Sequence, residues 1–289
     1  MESSLRTYRV ADFFFTVEDL PFAPDNLQPF LVPDCDGEKI FSLRIVKELP
    51  QCDCDLIYRT SEEPGFPVIS LFQLTSGDYF FEVQPLPGKP VAGRMAVDKD
   101  FKTAKMVLCG TSDRYALNSC LMLLFTFSSA SKGALEMHSS VVTYDGRGFM
   151  FLGKSGTGKG THSQLWMRNF PGTELLNDDN PIVRLLPDGT VRVYGSPWSG
   201  KTPCYKAQDA PVGAIVRLRQ APQNRIERLG TVHAYSSVMA SCSGFRAIRA
   251  LADAQHETLS VVAEQVPCYQ LECLPDEAAA RLCYKTVHG

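Results

Sequence analysis

The sequence predicts an α/β chain, a mixed-sheet domain over residues 112–289 preceded by a β-rich accessory domain over residues 1–111. Three observations carry that expectation. The apolar run at residues 149–152 leads straight into the glycine-rich turn Gly153-Lys-Ser-Gly-Thr-Gly158, then Lys159-Gly160-Thr161 and a helix-like segment to Arg168. A hairpin, rather than a helix, precedes that run. The N-terminal third is a series of short β-branched and aromatic runs broken by turn clusters.

In chain order, strands are expected at residues 12–17, 39–45, 56–59, 67–72, 79–83, 94–97 and 105–108, separated by turns such as Glu63-Pro-Gly65 and Pro85-Leu-Pro-Gly88. No chemistry concentrates there. Ser112-Asp113 can cap a helix running to about Ser129 that is apolar on most of its circumference and is therefore expected to be buried between the two halves. Residues 135–144 turn at Asp145-Gly146, a type I′ signal, and return as residues 149–152. After the loop helix, residues 174–181 read as a short strand ending in Asn-Asp178-Asp179-Asn. A second hairpin turns at Pro187-Asp-Gly189, and strands follow at 212–219 and 225–229. A helical stretch over 232–262 breaks near Cys242-Ser-Gly244, a strand covers 269–274, and Pro275-Asp276-Glu277 opens a final helix.

Bulk properties narrow the function classes. The chain has 289 residues, 44% of them hydrophobic, enough for a sizeable core in one large or two ordinary domains. A formal net charge of −3 with dispersed basic residues argues against a nucleic-acid partner. The longest apolar stretch, residues 120–127, is too short to span a bilayer, so no membrane role is expected. The ten cysteines contain no CxxC pair, and no apolar leader follows Met1. Reduced thiols in a cytoplasmic protein, without zinc, are the expectation.

The glycine-rich turn is where chemistry enters. A strand–turn–helix of this kind aims several backbone N–H groups into one concavity and adds the positive end of the helix. Gly153, Ser155, Gly156, Thr157, Gly158, Lys159, Gly160 and Thr161 are therefore the candidate polyphosphate cradle, with Lys159 as its point charge. The strict pattern has a hydroxyl directly after the lysine. Here that position is Gly160 and the hydroxyl comes one later at Thr161, an order that resembles the adenylate-type nucleoside monophosphate kinases. Phosphoryl transfer also needs a metal held by carboxylates and a group to take the acceptor's proton. Asp178 and Asp179, about twenty residues beyond Lys159 on a strand end, are placed to serve. The Gly195-Ser-Pro-Trp-Ser-Gly-Lys201 segment reads either as a tight surface turn or as a loop contacting acceptor or phosphate, with Lys201 stabilising transferring charge.

Met137-His138-Ser139, the hairpin, the 153–161 loop and Leu176-Asn-Asp178-Asp179 together resemble the catalytic domain of the bacterial HPr serine kinase/phosphorylase. They resemble still more the HPr-kinase-related proteins with the phosphoenolpyruvate carboxykinase-like P-loop fold. The Gly195-Ser-Pro-Trp-Ser-Gly200 segment and the closing Val266-Pro-Cys-Tyr-Gln-Leu-Glu-Cys-Leu-Pro-Asp276 add to the likeness, which covers residues 133–289. The resemblance implies a kinase using ATP and Mg²⁺ on a hydroxyl-bearing acceptor (serine of a protein or peptide, or a small molecule), with a homo-oligomer possible. It implies Asp178 as the group handling the acceptor proton, His138 as an active-site histidine, and Asp179 and Thr161 as metal contacts. The family's metal-side glutamate has no counterpart, since residues 195–201 contain no carboxylate. A carboxykinase-like metabolic enzyme and a non-catalytic nucleotide switch or scaffold are the competing readings.

Overall fold

The structure, a computed structural model, describes residues 4–34, 36–51, 53–200, 202–244 and 247–288. The chain divides into two compact units, Met1–Ser129 with Gly244–Ala252, and Ala130–Ser243 with Asp253–Gly289. Each is built on a large mixed sheet.

The first unit holds β1 (Leu5–Val10), β2 (Phe13–Glu18), β3 (Leu31–Val32), β4 (Lys39–Ile45), β5 (Cys54–Arg59), β6 (Val68–Leu74), β7 (Tyr79–Gln84), β8 (Gly93–Val97), β9 (Thr103–Leu108) and the helix α1 (Asp113–Ala130). The sheet order is β3-β1-β2-β4-β9-β8-β7-β6-β5. Phe125 and Phe127 of α1 pack on Phe13, Phe15, Phe81 and Phe101, all buried. Gly93 lets α1 approach the sheet, because a Cβ there would lie 2.9 Å from that of Ala116. The helix that the sequence groups with residues 112–289 thus supplies the aromatic cover of the N-terminal sheet. Strand β1 was not expected from the sequence either.

The second unit contains β10 (Ala134–Glu136), β11 (Ser139–Tyr144), β12 (Arg147–Leu152), α2 (Lys159–Asn169), β13 (Glu174–Asp179), β14 (Ile182–Leu185), β15 (Val191–Tyr194), β16 (Asp209–Gln220), β17 (Arg225–Arg228), α3 (Thr231–Met239), α4 (Arg249–Gln265), β18 (Cys268–Cys273) and α5 (Glu277–His288). The strand order is β10-β14-β15-β16-β12-β11-β13, with β18 pairing β16 and β17. Alternation on β12 sends Phe149 and Phe151 to one face, against Trp166, Phe170, Ala280 and Cys283 of the α2–α5 side. Met150 and Leu152 go to the other, against Ala234, Val238, Leu259 and Val262 of α3 and α4. The result is a sheet with helices on both faces.

Two features of this sheet set the site. The loop strand β12 has an antiparallel neighbour, β11, on one side and a parallel one, β16, on the other. The acidic strand β13 does not pair with β12. It pairs antiparallel with β11, whose Ser139 faces Leu152 across one ladder and Asp179 across the other. The start of β11 therefore lies between the phosphate loop and the two aspartates.

Candidate active site

Residues 153–158 leave β12 and feed α2 as the sequence predicts. The turn is closed by Thr157, whose N–H and Oγ1 both donate to the Lys154 carbonyl, at 3.1 and 2.7 Å. Gly158 precedes the helix at φ 105°, a conformation suited to glycine. Lys154, Ser155 and Gly156 are exposed, so the loop's face is open to a ligand.

His138 sits immediately before β11 and links the loop to the acidic strand. Lys159 Nζ donates to His138 Nε2 at 2.8 Å and to the Gly153 carbonyl at 3.1 Å. An ammonium can only donate, so Nε2 must accept and the ring proton rests on Nδ1, which lies 2.9 Å from Asp179 Oδ1. Three of the sequence-predicted residues thus form one chain, Lys159–His138–Asp179. Burial draws the Lys159 ammonium below its ordinary pKa. Asp179 and Asp178 oppose that shift, and Arg217 adds to it.

Asp178 lies elsewhere. A Cβ on Gly160 would stand 3.5 and 3.6 Å from its two carboxylate oxygens, so the carboxylate rests over the first turn of α2. It takes no hydrogen bond or ion pair from a described residue. It is Gly160, in the place of the usual hydroxyl, that faces Asp178. Thr161, one position round the helix, is exposed and lines a cavity on the other side of the loop.

The Gly195–Gly200 segment is not a surface turn. Ser196 is fully buried and Trp198 nearly so. Asn177, also fully buried, donates through Nδ2 to Ser196 Oγ (3.2 Å) and the Trp198 carbonyl (3.1 Å), and its Oδ1 accepts from Asn180 N–H (3.0 Å). Gly200 N–H and Ser199 Oγ both donate to the Asp178 carbonyl. Asp179, bridged to Ser199, is held at φ 141°, a region that costs a non-glycine residue on the order of 1–3 kcal/mol. The segment braces the strand end that carries the carboxylates. Lys201 lies outside the described residues.

Sequence reasoning missed Asn177, Ser140 and Arg217. Ser140 bonds Ser163 of α2 at 2.7 Å, pinning β11 to the loop helix. Arg217 of β16 stands opposite Leu152, the residue before the loop. For Asn177, its place directly before the acidic pair was the available signal; for the other two, only the register provides one.

The cavity beside the loop measures about 390 Å³, within the range of roughly 300–1,000 Å³ of small-molecule sites. Gly156–Gly158 form one wall, Thr161 and Leu165 another, and Leu218, Gln220 and Leu274 close it. The Gln220 amide bonds the Gly156 carbonyl at 3.3 Å.

Among the described residues no three His, Cys, Asp or Glu side chains cluster as a metal site. No described helix is long and apolar enough to cross a membrane.

No protein-family model matches this chain, and no curated protein matches it. Among solved structures, the HPr(Ser) kinase/phosphatase from Coxiella burnetii is similar over 53% of this chain and 99% of that one, at 14% identity and a TM-score of 0.29. So slight a likeness leaves the chemistry to be argued from the residues themselves.

Proposed function

We propose that this chain is an ATP- and Mg²⁺-dependent phosphotransferase of the HPr-kinase/carboxykinase-like P-loop class, acting on a hydroxyl acceptor, serine of a protein or peptide. The observation that carries the reading is the Asp178 carboxylate, without a described partner, lying over the first turn of the loop helix. A carboxylate so placed is free to take the acceptor's proton as its oxygen meets the terminal phosphorus. The loop N–H groups would hold the phosphates, and Lys159, with one N–H left after His138 and Gly153, would meet a non-bridging oxygen. The nucleoside end would occupy the cavity at Leu165 and Leu218. Asp179 would hold Mg²⁺ through Oδ2, its Oδ1 being engaged by His138. The metal, when bound, supplies charge neutralisation at the phosphates.

The test is Mg²⁺-dependent ATP binding and transfer of labelled γ-phosphate, in the wild type, Lys159→Ala and Asp178→Asn. Lys159→Ala is expected to abolish binding; Asp178→Asn is expected to bind ATP and lose turnover. Equal turnover in Asp178→Asn and the wild type would remove the assigned proton acceptor. One observation favours a nucleotide switch without turnover: Gly160 supplies no hydroxyl to a metal. ATP binding without transfer or hydrolysis under any condition would select it.

A further inference from the structure

We propose that Arg217 is a second anion-binding residue of this site, placed to contact the phosphates alongside Lys159. The inference rests on the nucleotide reading above and adds a residue to it.

Its position comes from the sheet. β12 and β16 run parallel, with Leu152 opposite Arg217, so the Arg217 backbone stands one strand spacing, about 4.8 Å, from the last residue before the phosphate turn. Both strands end at the same edge, where ligands of parallel α/β sheets sit.

Its bonding is one-sided. Nε donates to Ser237 Oγ at 2.6 Å, and Nη2 donates to the Ser237 carbonyl and to Ser241 Oγ, the latter at 3.0 Å. Nη1 makes no hydrogen bond to a described residue. Every partner is neutral. No described carboxylate pairs with this half-buried guanidinium. Burial lowers its pKa, but a guanidinium remains charged at neutral pH.

Its charge is also felt at Lys159, where it acts against the ammonium. Two half-buried cations, Lys159 at the start of α2 and Arg217 on β16, the latter anchored only by hydroxyls and a carbonyl, form a site whose remaining requirement is an anion. The three bonds that fix Nε and Nη2 hold the fork still, so an arriving oxyanion would not have to order a flexible side chain. The competing role is structural. The Ser237 carbonyl belongs to the last turn of α3, where a cation is favourable without any ligand.

The experiment measures binding of inorganic tripolyphosphate by calorimetry, in the full chain, for the wild type, Arg217→Gln and Arg217→Lys, with thermal melts alongside. Arg217→Gln is expected to bind about ten-fold more weakly, the scale of one charge-assisted hydrogen bond, with Arg217→Lys recovering part of the loss. In the wild type, tripolyphosphate is expected to protect Arg217 from phenylglyoxal, read by peptide mass. That arm stands even if both variants fail to fold. A folded Arg217→Gln with wild-type affinity, or an Arg217 modified equally with and without ligand, overturns the proposal and leaves the nucleotide reading in place. A wild type that binds no tripolyphosphate overturns both.

Discussion

Gly160 offers the most direct probe of the site, because replacing it restores the missing hydroxyl opposite a known carboxylate. The Gly160 backbone is helical, and a Cβ there meets nothing closer than the Asp178 oxygens at 3.5 and 3.6 Å, an ordinary contact. In Gly160→Ser the hydroxyl, one bond further out, comes within reach of the same carboxylate. Replacing a helical glycine by serine gains about 0.5 kcal/mol. A hydrogen bond to a half-buried carboxylate adds roughly 1 kcal/mol. Together they predict about 1–1.5 kcal/mol, or a rise in Tm of roughly 3–5 °C for a unit of this size. Differential scanning calorimetry of the ligand-free protein reads it. Gly160→Val serves as the opposing control, since its branch would collide with Asp178 and lower the Tm. If Gly160→Ser melts at or below the wild type, Asp178 does not lie over the loop helix, and the geometry assigned to the proton acceptor fails with it.

Two further outcomes follow from buried polar groups. His162 is buried against Phe151, accepts from Trp166 Nε1–H at 3.2 Å, and is pushed down by burial to about 4. Between pH 6.5 and about 4 the unfolded chain holds a proton there that the native state refuses, so stability falls as pH falls through that window, by on the order of 3 kcal/mol. Urea midpoints of wild type and His162→Gln across that range check it; parallel curves would show that His162 is not the group responsible. Asn177→Ala strips the Asn180 N–H of its partner and leaves the Trp198 carbonyl with Ser196 Oγ alone, at a cost of about 1–3 kcal/mol, and should lower turnover while leaving ATP affinity unchanged because the loop is untouched. A turnover equal to wild type would mean that the brace does not position Asp178.

Local patterns were legible in the sequence and nonlocal register was not. The strand Lys39–Ile45 is delimited by its own alternation, and Asp145-Gly146 by turn chemistry that requires positive φ at both positions, found at 48° and 70°. The loop and its strand–turn–helix setting are equally local. By contrast, nothing in residues 139–144 alone says that β11 will lie between β12 and β13, yet that insertion brings His138 to both Lys159 and Asp179. The helix break near Cys242 was visible. Its use was not: Met137 bridges Cys242, and His138 N–H donates to the Ser241 carbonyl at 2.7 Å. The segment 195–200 was visible as glycine-bounded, but its burial follows from Asn177, whose partners Ser196 and Trp198 lie on the far side of a hairpin. The cover of the first sheet by α1 likewise depends on Phe125 and Phe127 finding aromatic partners far back in the chain.

The inserted strand also gives His138 a role that can be separated from proton transfer. The imidazole stands between an ammonium and a carboxylate, accepting from Lys159 on one nitrogen and donating to Asp179 on the other. It satisfies both charges while keeping them one ring apart. Removing the ring lets Lys159 and Asp179 approach directly, and an ion pair of that exposure is worth up to about 1 kcal/mol. A phosphate would then have to break that pair before reaching the lysine. His138→Ala is therefore expected to weaken ATP binding by up to about five-fold, whereas His138→Asn, with an acceptor and a donor on one planar group, should lie closer to the wild type. Isothermal titration at constant Mg²⁺ reads both. Unchanged affinity in His138→Ala would mean that Lys159 stays clear of Asp179 without the ring, leaving the position of His138 to be explained by catalysis alone.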